Sequence, residues 1–599
     1  MTDVQAALET ARARIRAGRI HDAVGVLDRA LTTAPDSTEV LRLVAQVRRE
    51  TRNPAGAEAA LKRLLELQPA DVQAWIELGD AQAVLGRPAE AEQSFRKAHG
   101  LDAAGGHGAR ALAQHLQAQG RSAEVLEITG PLWETTTLTP LIALHGAALK
   151  ALGRQAEAVA ADRRTVELEP TNPIAEHNLG AVLANLGRFE EASATTTRAL
   201  AKGARAPETW LVHGHALQGL DRLDEAEAAY RQAIRLRPTY ADAHRDLAQL
   251  VWMRTEDKAA ATAEVRRVMA ETSNPTPLAL IRAKVLSEAG DVAGAYEILS
   301  TLAGIRPAEI GLTLAASQEA IRAGQGAQGL AYARRAASML PDDARVLTNL
   351  CEAELANGLP AEAAATAEKL RAAKAEDQHA LALQLTAWRL LGDPRYGLPC
   401  DYAEVVRAYK IAAPEGWASL DAYLADLAEG LAALHVTRTH PVGQSLRHGS
   451  QTNQSLRNAA HPAIRAFPEA IDGAIRAHMA HLGQGSDPLR ARNTGAYEIA
   501  GLWSVRLRPG GFHIDHVHPE GWLSSACYIA LPGAVETDRQ GWIRFGQPGI
   551  ATEPPLQAEH FVKPEPGMLV LFPSYLWHGT VPFEGDESRL TVAFDLVPA

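Results

Sequence analysis

From about residue 4 to residue 390 the apolar positions recur at helical spacing, in paired runs joined by a short polar turn. The segment PETWLVHGHALQGLDRLDEAEAAYRQAIRLRP at 207–238 shows the unit: two amphipathic runs, a turn between them, and a proline that ends the second. A comb of small turn residues repeats this unit along the chain, at Gly18, Gly86, Gly120, Gly153, Gly187, Asp221, Gly290, Gly324 and Gly358. Its teeth stand 33 or 34 residues apart, with two gaps of about twice that. Prolines at Pro35, Pro69, Pro170, Pro238, Pro307 and Pro341 form a second comb of the same period.

A helix-turn-helix unit with this period resembles the tetratricopeptide repeat family, and about eleven units fit between 4 and 390, the weakest around 105–138 and 241–277. A single helix pair cannot bury its own apolar face, so neighbours stack into a superhelix whose groove offers side chains to an extended partner. A peptide or protein is therefore the expected partner of the array. A spacer or a dimerisation surface is the plainer alternative.

The pattern changes after residue 390. WRLLGDPRYGLPCDYAEVV (388–406) gathers glycine, proline and tyrosine and marks a boundary. Residues 415–436 and 462–482 still read as helices, whereas HPVGQSLRHGSQT (440–452) is polar and turn-rich. From about 496 the period becomes two. EIAGLWSVRLRPG, LSSACYIALPG, GWIRFGQP, GMLVLFPS and RLTVAFDLV are short strand-forming runs bounded by glycine and proline. The expected fold is multidomain: an all-α repeat superhelix over 1–390, a helical linker over 391–439, and over 440–599 a mainly β double-stranded β-helix, or jelly roll, with a helical lead-in.

Composition narrows the function classes. A chain of 599 residues with 46% hydrophobic and 22% charged residues exceeds what one growing core holds, which agrees with an extended array plus a further domain. A formal net charge of −11 supplies no global basic field, so nucleic acid is not an expected partner. The only cysteines are Cys351, Cys400 and Cys527, with no CxxC pair, which argues against a disulfide framework or a zinc knuckle. No apolar leader and no window of 18 uncharged apolar residues is present, so a cytoplasmic protein without a membrane partner is expected.

Candidate chemistry is concentrated near the C-terminus. GGFHIDHVHPEG (510–521) is followed some sixty residues later by FPSYLWHGTVP, which carries His578, and then by Arg589 in SRLT. Residues i and i+2 of a strand share a face, so a His-x-Asp or His-x-His pair can offer two ligands to one metal, and a distant His can complete a facial triad with three positions open. Two overlapping pairs compete, His513 with Asp515 and His516 with His518, and strand alternation would put them on opposite faces. Arg589 and Thr591 share a face suited to a carboxylate, while Leu590, Val592 and Phe594 face the other way.

Residues 440–597 resemble the 2-oxoglutarate/Fe(II)-dependent oxygenase family in which an HxHP motif, a YxxLP-like strand, GxLVLFPSxLxH and RxTxxF recur in that order. The matching positions are His516, His518, Tyr528, Gly567, Phe572, His578, Arg589 and Thr591. The family is also found joined to tetratricopeptide repeats. The resemblance implies Fe(II) held by His516, His518 and His578, with 2-oxoglutarate as co-substrate contacted by Arg589, Thr591 and Tyr528. No further catalytic residue is implied, because hydroxylation of a C–H bond in this chemistry needs no protein nucleophile. On this reading the enzyme is a dioxygenase that hydroxylates a peptide or protein side chain recruited by the repeats, and His513 and Asp515 point away from the metal. The alternatives are a scaffold with an inactive barrel and, more remotely, a repeat-fused glycosyl- or sulfotransferase. Against the last, no phosphate-binding GxxxxGK[ST] loop occurs.

Overall fold

A computed structural model describes residues 2–599 and divides them into two compact units, with the boundary between Arg205 and Ala206. The first unit is entirely helical, running in hairpins from Thr2–Arg16 to Phe189–Ala201. In the hairpin Val72–Val84 with Pro88–Leu101, Gly86 takes a left-handed φ of 73° and lets the Arg87 amide donate back to the Gln82 carbonyl at 3.0 Å. This closes the first helix and reverses the chain. Every tooth of the comb from Gly18 to Gly358 has a positive φ. The two gaps are filled by Arg52 (φ 57°) and Glu256 (φ 59°), which adopt the same conformation without being glycine, at a local cost of ~1 kcal/mol each.

The second unit opens with eleven further helices, from Pro207–Gly219 to Gln378–Leu391. Helix contact is close because small residues face large ones. A Cβ on Gly214 would come within 2.4 Å of the Tyr230 ring, and Tyr230 is fully buried with its hydroxyl donating to Gln218 at 2.8 Å.

The remainder of this unit is mainly β: β1 (Arg407–Lys410), β2 (Leu446–Gln451), β3 (Tyr497–His513), β4 (Leu523–Ala530), β5 (Ile543–Phe545), β6 (His560–Val562), β7 (Met568–Pro573), β8 (His578–Thr580) and β9 (Arg589–Pro598). Six of them form an antiparallel sheet in the order β1-β7-β4-β9-β3-β2, and β6-β5-β8 form a smaller antiparallel sheet. Alternation along β9 is strict. Leu590, Val592, Phe594 and Leu596 enter a core shared with the helices Leu420–Ala432 and Phe467–Leu482, while Arg589, Thr591, Ala593 and Asp595 line a cavity on the other face.

Two segments depart from the sequence reading. The stretch 391–439, expected to be a helical linker, contains the helix Leu420–Ala432 but also supplies β1 to one edge of the large sheet. The turn-rich 440–452 supplies β2 to the other edge. Edge strands tolerate charge and need no alternating pattern, and RAYK in β1 shows none.

The β region is docked on the helices of its own unit. Asn453 donates to Asp221 at 3.1 Å, Arg508 to Glu256 at 3.0 Å, Arg447 to Glu288 at 2.6 Å, and the Glu553 amide to the Leu355 carbonyl at 3.0 Å. Asp221, Glu256 and Glu288 stand about one period apart and Leu355 about two periods further on, so the comb is also a row of docking points. Leu381 and Leu385 of the last helix enter the β core, and Trp577 and Val517 enter a cluster built on Leu347, Cys351 and Leu355. Among the described residues no helix is long and apolar enough to cross a membrane.

Candidate metal site

The strand β3 ends at His513, and the chain through Ile514–His518 leaves regular β geometry. His516 instead forms an isolated antiparallel bridge with His578: its amide donates to the His578 carbonyl at 2.9 Å, and the His578 amide returns the bond at 3.0 Å. These reciprocal bonds lock the two segments in register. The flanking residues are anchored as well, since Trp577 Nε1 donates to Thr386 Oγ1 at 3.0 Å and Val517 packs among the last repeat helices.

One ring nitrogen each of His516, His518 and His578 lies within 4.8 Å of the others. Their tautomers follow from their partners. Nδ1 of His516 faces the Ile514 carbonyl at 2.9 Å and Nδ1 of His578 faces the Leu576 carbonyl at 3.0 Å; a carbonyl only accepts, so each Nδ1 carries the proton. Nδ1 of His518 faces the Asp595 carboxylate at 2.7 Å and donates likewise. All three Nε2 atoms are then lone-pair donors, and those of His516 and His518 stand 3.3 Å apart. Two lone pairs that close repel each other unless a cation lies between them. Burial, reinforced by the neighbouring imidazoles, holds His516 down to about 3 and His578 well below the ordinary range, so both rings are neutral as a metal requires.

The competing pair separates. Asp515 accepts both arms of Arg544, at 2.9 and 2.6 Å, and is absent from the cavity wall. His513 does not point away with it, contrary to the alternation argument. Its Nδ1 meets Ser445 Oγ at 2.9 Å, its ring stacks on His516 with centroids 5.8 Å apart, and it lines the cavity. The reason is that the strand has ended, so a period of two no longer governs residues 514–518.

Arg589 and Thr591 lie on the same cavity wall, 2% and 4% exposed. The Arg589 guanidinium sits over the Tyr528 ring at 5.0 Å, and Tyr528 stands opposite Thr591 in the β4–β9 ladder. Neither Nε of Arg589 nor the Tyr528 hydroxyl makes a well-formed hydrogen bond, and among the described residues no carboxylate pairs with Arg589. Burial lowers the guanidinium pKa and raises that of the phenol, each pulled back by the other. A buried cation without a counter-ion is costly and fits an anion-binding position. The cavity, about 820 Å³, is also lined by Lys284, Glu288 and Arg322 of the repeats.

Sequence reasoning missed several residues here. Asp595 was visible in principle, since it continues the Arg589, Thr591, Ala593 face of β9 by alternation. Ser445, and the ring of Trp503 stacked on His518 with centroids 6.0 Å apart, come from segments with no local signal of a site.

A family model described as "Putative 2OG-Fe(II) oxygenase" matches residues 501–595, and two tetratricopeptide repeat models match 44–106 and 214–253. None of the curated proteins compared matches the chain. Among solved structures it is similar to Naa15/Naa10 bound to HypK-THB (14% identity over 66% of this chain and 67% of that one, TM-score 0.26). It is similar also to the P58(IPK) TPR domain (14%, 65% and 98%, TM-score 0.21) and to a MamA RS-1 ArsTM double mutant (22%, 28% and 96%, TM-score 0.26).

Proposed function

We propose that this chain, which carries tetratricopeptide repeats and a C-terminal domain of the 2OG-Fe(II) oxygenase family, is an Fe(II)- and 2-oxoglutarate-dependent dioxygenase that hydroxylates a peptide or protein side chain. The observation that carries this reading is the convergence of one ring nitrogen from each of three imidazoles on one point while each Nδ1 is already committed to a carbonyl or carboxylate elsewhere. In this reading His516, His518 and His578 hold the metal. Arg589, with Thr591 and Tyr528 beside it, receives the distal carboxylate of the co-substrate, the planar fork suiting that anion. Bound together, iron and keto acid would supply the oxidising power to insert oxygen from O₂ into a C–H bond, with succinate and carbon dioxide as co-products.

The chain's own part is to orient and to exclude water. The His516–His578 backbone bridge fixes the ligand spacing, and the buried walls of the cavity keep Arg589 poorly solvated, which strengthens its hold on an anion. A partner recruited by the repeats is supported by the cavity wall, because Lys284, Glu288 and Arg322 meet whatever enters. The free buried cysteines accord with a reducing, cytoplasmic setting.

Anaerobic titration with Fe(II) and 2-oxoglutarate tests the reading through the weak visible charge-transfer band of the ternary complex. About one Fe(II) per chain is expected. His516→Ala, His518→Ala and His578→Ala should each lose it, while Asp515→Asn should keep it. Loss of iron in Asp515→Asn with full binding in His518→Ala would transfer the site to His513, Asp515 and His578. A chain that binds neither iron nor keto acid would be a scaffold with an inactive barrel.

A further inference from the structure

A metal bound by three neutral imidazoles lacks the negative charge that a carboxylate ligand would bring. The environment of the three rings is not equivalent. His516 and His578 give their Nδ1 protons to backbone carbonyls, whereas His518 gives its proton to a carboxylate, over the shortest of the three contacts at 2.7 Å. The other oxygen of Asp595 accepts from Ser524 Oγ at 2.8 Å, and Ser524 in turn meets Ser574 Oγ at 2.9 Å. Trp503 stacks on the His518 ring at an interplanar angle of 15°, so the ring is held by its face and by its edge.

The second observation is how the nearby carboxylates are used. Asp515 is neutralised by a two-armed ion pair with Arg544. Asp595 has no arginine or lysine partner among the described residues, and the ring it meets is that of His518, at 2.7 Å. Its charge is therefore directed at the imidazole. A carboxylate hydrogen-bonded to the remote nitrogen makes the ring a stronger donor, partway to an imidazolate, so negative charge reaches the metal through the ring.

Resting on the metal site proposed above, we propose that Asp595 is the anionic component of that site: a positioning residue that acts through His518, tightens the binding of a divalent metal and favours its higher oxidation state. The strand β9 then carries the two charges of the pocket on one face, the cation Arg589 at one end for the co-substrate and the anion Asp595 six residues on, behind the His518 ring.

Asp595→Asn separates charge from geometry in the full-length chain. The amide oxygen can still accept from His518 Nδ1, its NH₂ can donate to Ser524 Oγ, and Ser524 can redirect its own proton to Ser574, so no buried group is stranded. Anaerobic titration with Fe(II), and separately with Co(II), should give about 10- to 100-fold weaker binding than in the unaltered chain, with an unchanged circular dichroism spectrum. The Fe(III)/Fe(II) reduction potential of the variant should rise, because removing a negative charge favours the ferrous state. A role confined to holding the ring would be fully served by asparagine, so equal affinity and equal potential in the two proteins would overturn the inference alone. Failure of the unaltered chain to bind metal would overturn the site itself, and this inference with it.

Discussion

Replacing Arg589 by methionine should move stability and ligand binding in opposite directions. Arg589 is 2% exposed, its Nε lacks a well-formed hydrogen bond, and among the described residues no carboxylate pairs with it. An unsatisfied buried polar group costs ~1–3 kcal/mol, and the stack on Tyr528 at 5.0 Å returns ~0.5–2 kcal/mol. Methionine matches the aliphatic stem without the charge, so the ligand-free protein should gain about 1 kcal/mol from the difference of those two terms, a rise of a few degrees at most in the melting temperature of the second unit. With 2-oxoglutarate at a hundred times its dissociation constant, the unaltered protein gains ~2.7 kcal/mol through mass action. The variant should lose nearly all of that response, since removing one buried charge pair with an anion costs ~2–5 kcal/mol. Thermal or urea unfolding of both proteins, with Zn(II) as a redox-silent metal and with or without keto acid, reads the two effects together. A variant that is less stable without ligand, or that keeps the full ligand-induced shift, would refute the argument that Arg589 waits unpaired for an anion.

Truncation provides a second test. A chain of residues 400–599 removes Leu381 and Leu385 from the β core and Thr386 from Trp577, so it should be poorly folded and bind no metal, whereas residues 206–599 should fold and bind it. Cooperative unfolding of the shorter piece would show that the docked helices are dispensable. A third concerns pH. His435 is buried between Ser450 Oγ at 2.9 Å and Ser504 Oγ at 3.1 Å, and burial, with help from Arg506, holds it down to about 4 against 6.5 when unfolded. The unfolded chain therefore binds the extra proton first, so this contribution is complete above about pH 6.5 and falls by ~3 kcal/mol as the pH drops to about 4. His435→Gln should flatten that part of the stability profile, and an unchanged slope between pH 4 and 6.5 would reject it.

The repeat array was legible because each period restates the same physics: two amphipathic faces, a small turn residue, a closing proline. The comb had gaps at Arg52 and Glu256 because tertiary packing can hold a non-glycine in the left-handed region, and nothing in the local sequence announces it. Strands β3, β4, β7 and β9 were visible through alternation over a buried face, whereas β1 and β2 lie on edges where alternation is not enforced. At the site, the order of His516, His518, His578 and Arg589 could be read along the chain. The position of His513 could not, since β3 stops there and alternation does not carry on into 514–518. Ser445, Lys284 and Arg322 reach the cavity only through contacts far apart in sequence, which no motif encodes.

The docking row at Asp221, Glu256, Glu288 and Leu355 bears on how the chain is made. Helical hairpins close through neighbours in sequence and form quickly, whereas the β region must join residues as remote as Arg407 and Leu571. Synthesis runs from the N-terminus, so the helices bearing this row emerge and can fold before β3 has left the ribosome. The late, slow half of the protein thus assembles on a finished template. The spacing of that template is set by repeat length, so inserting a single residue inside one of these hairpins would throw the later docking points out of step with Arg447, Arg508 and Asn453. A surface loop elsewhere could grow freely; between Asp221 and Leu355 the repeat length is constrained by the domain that follows it.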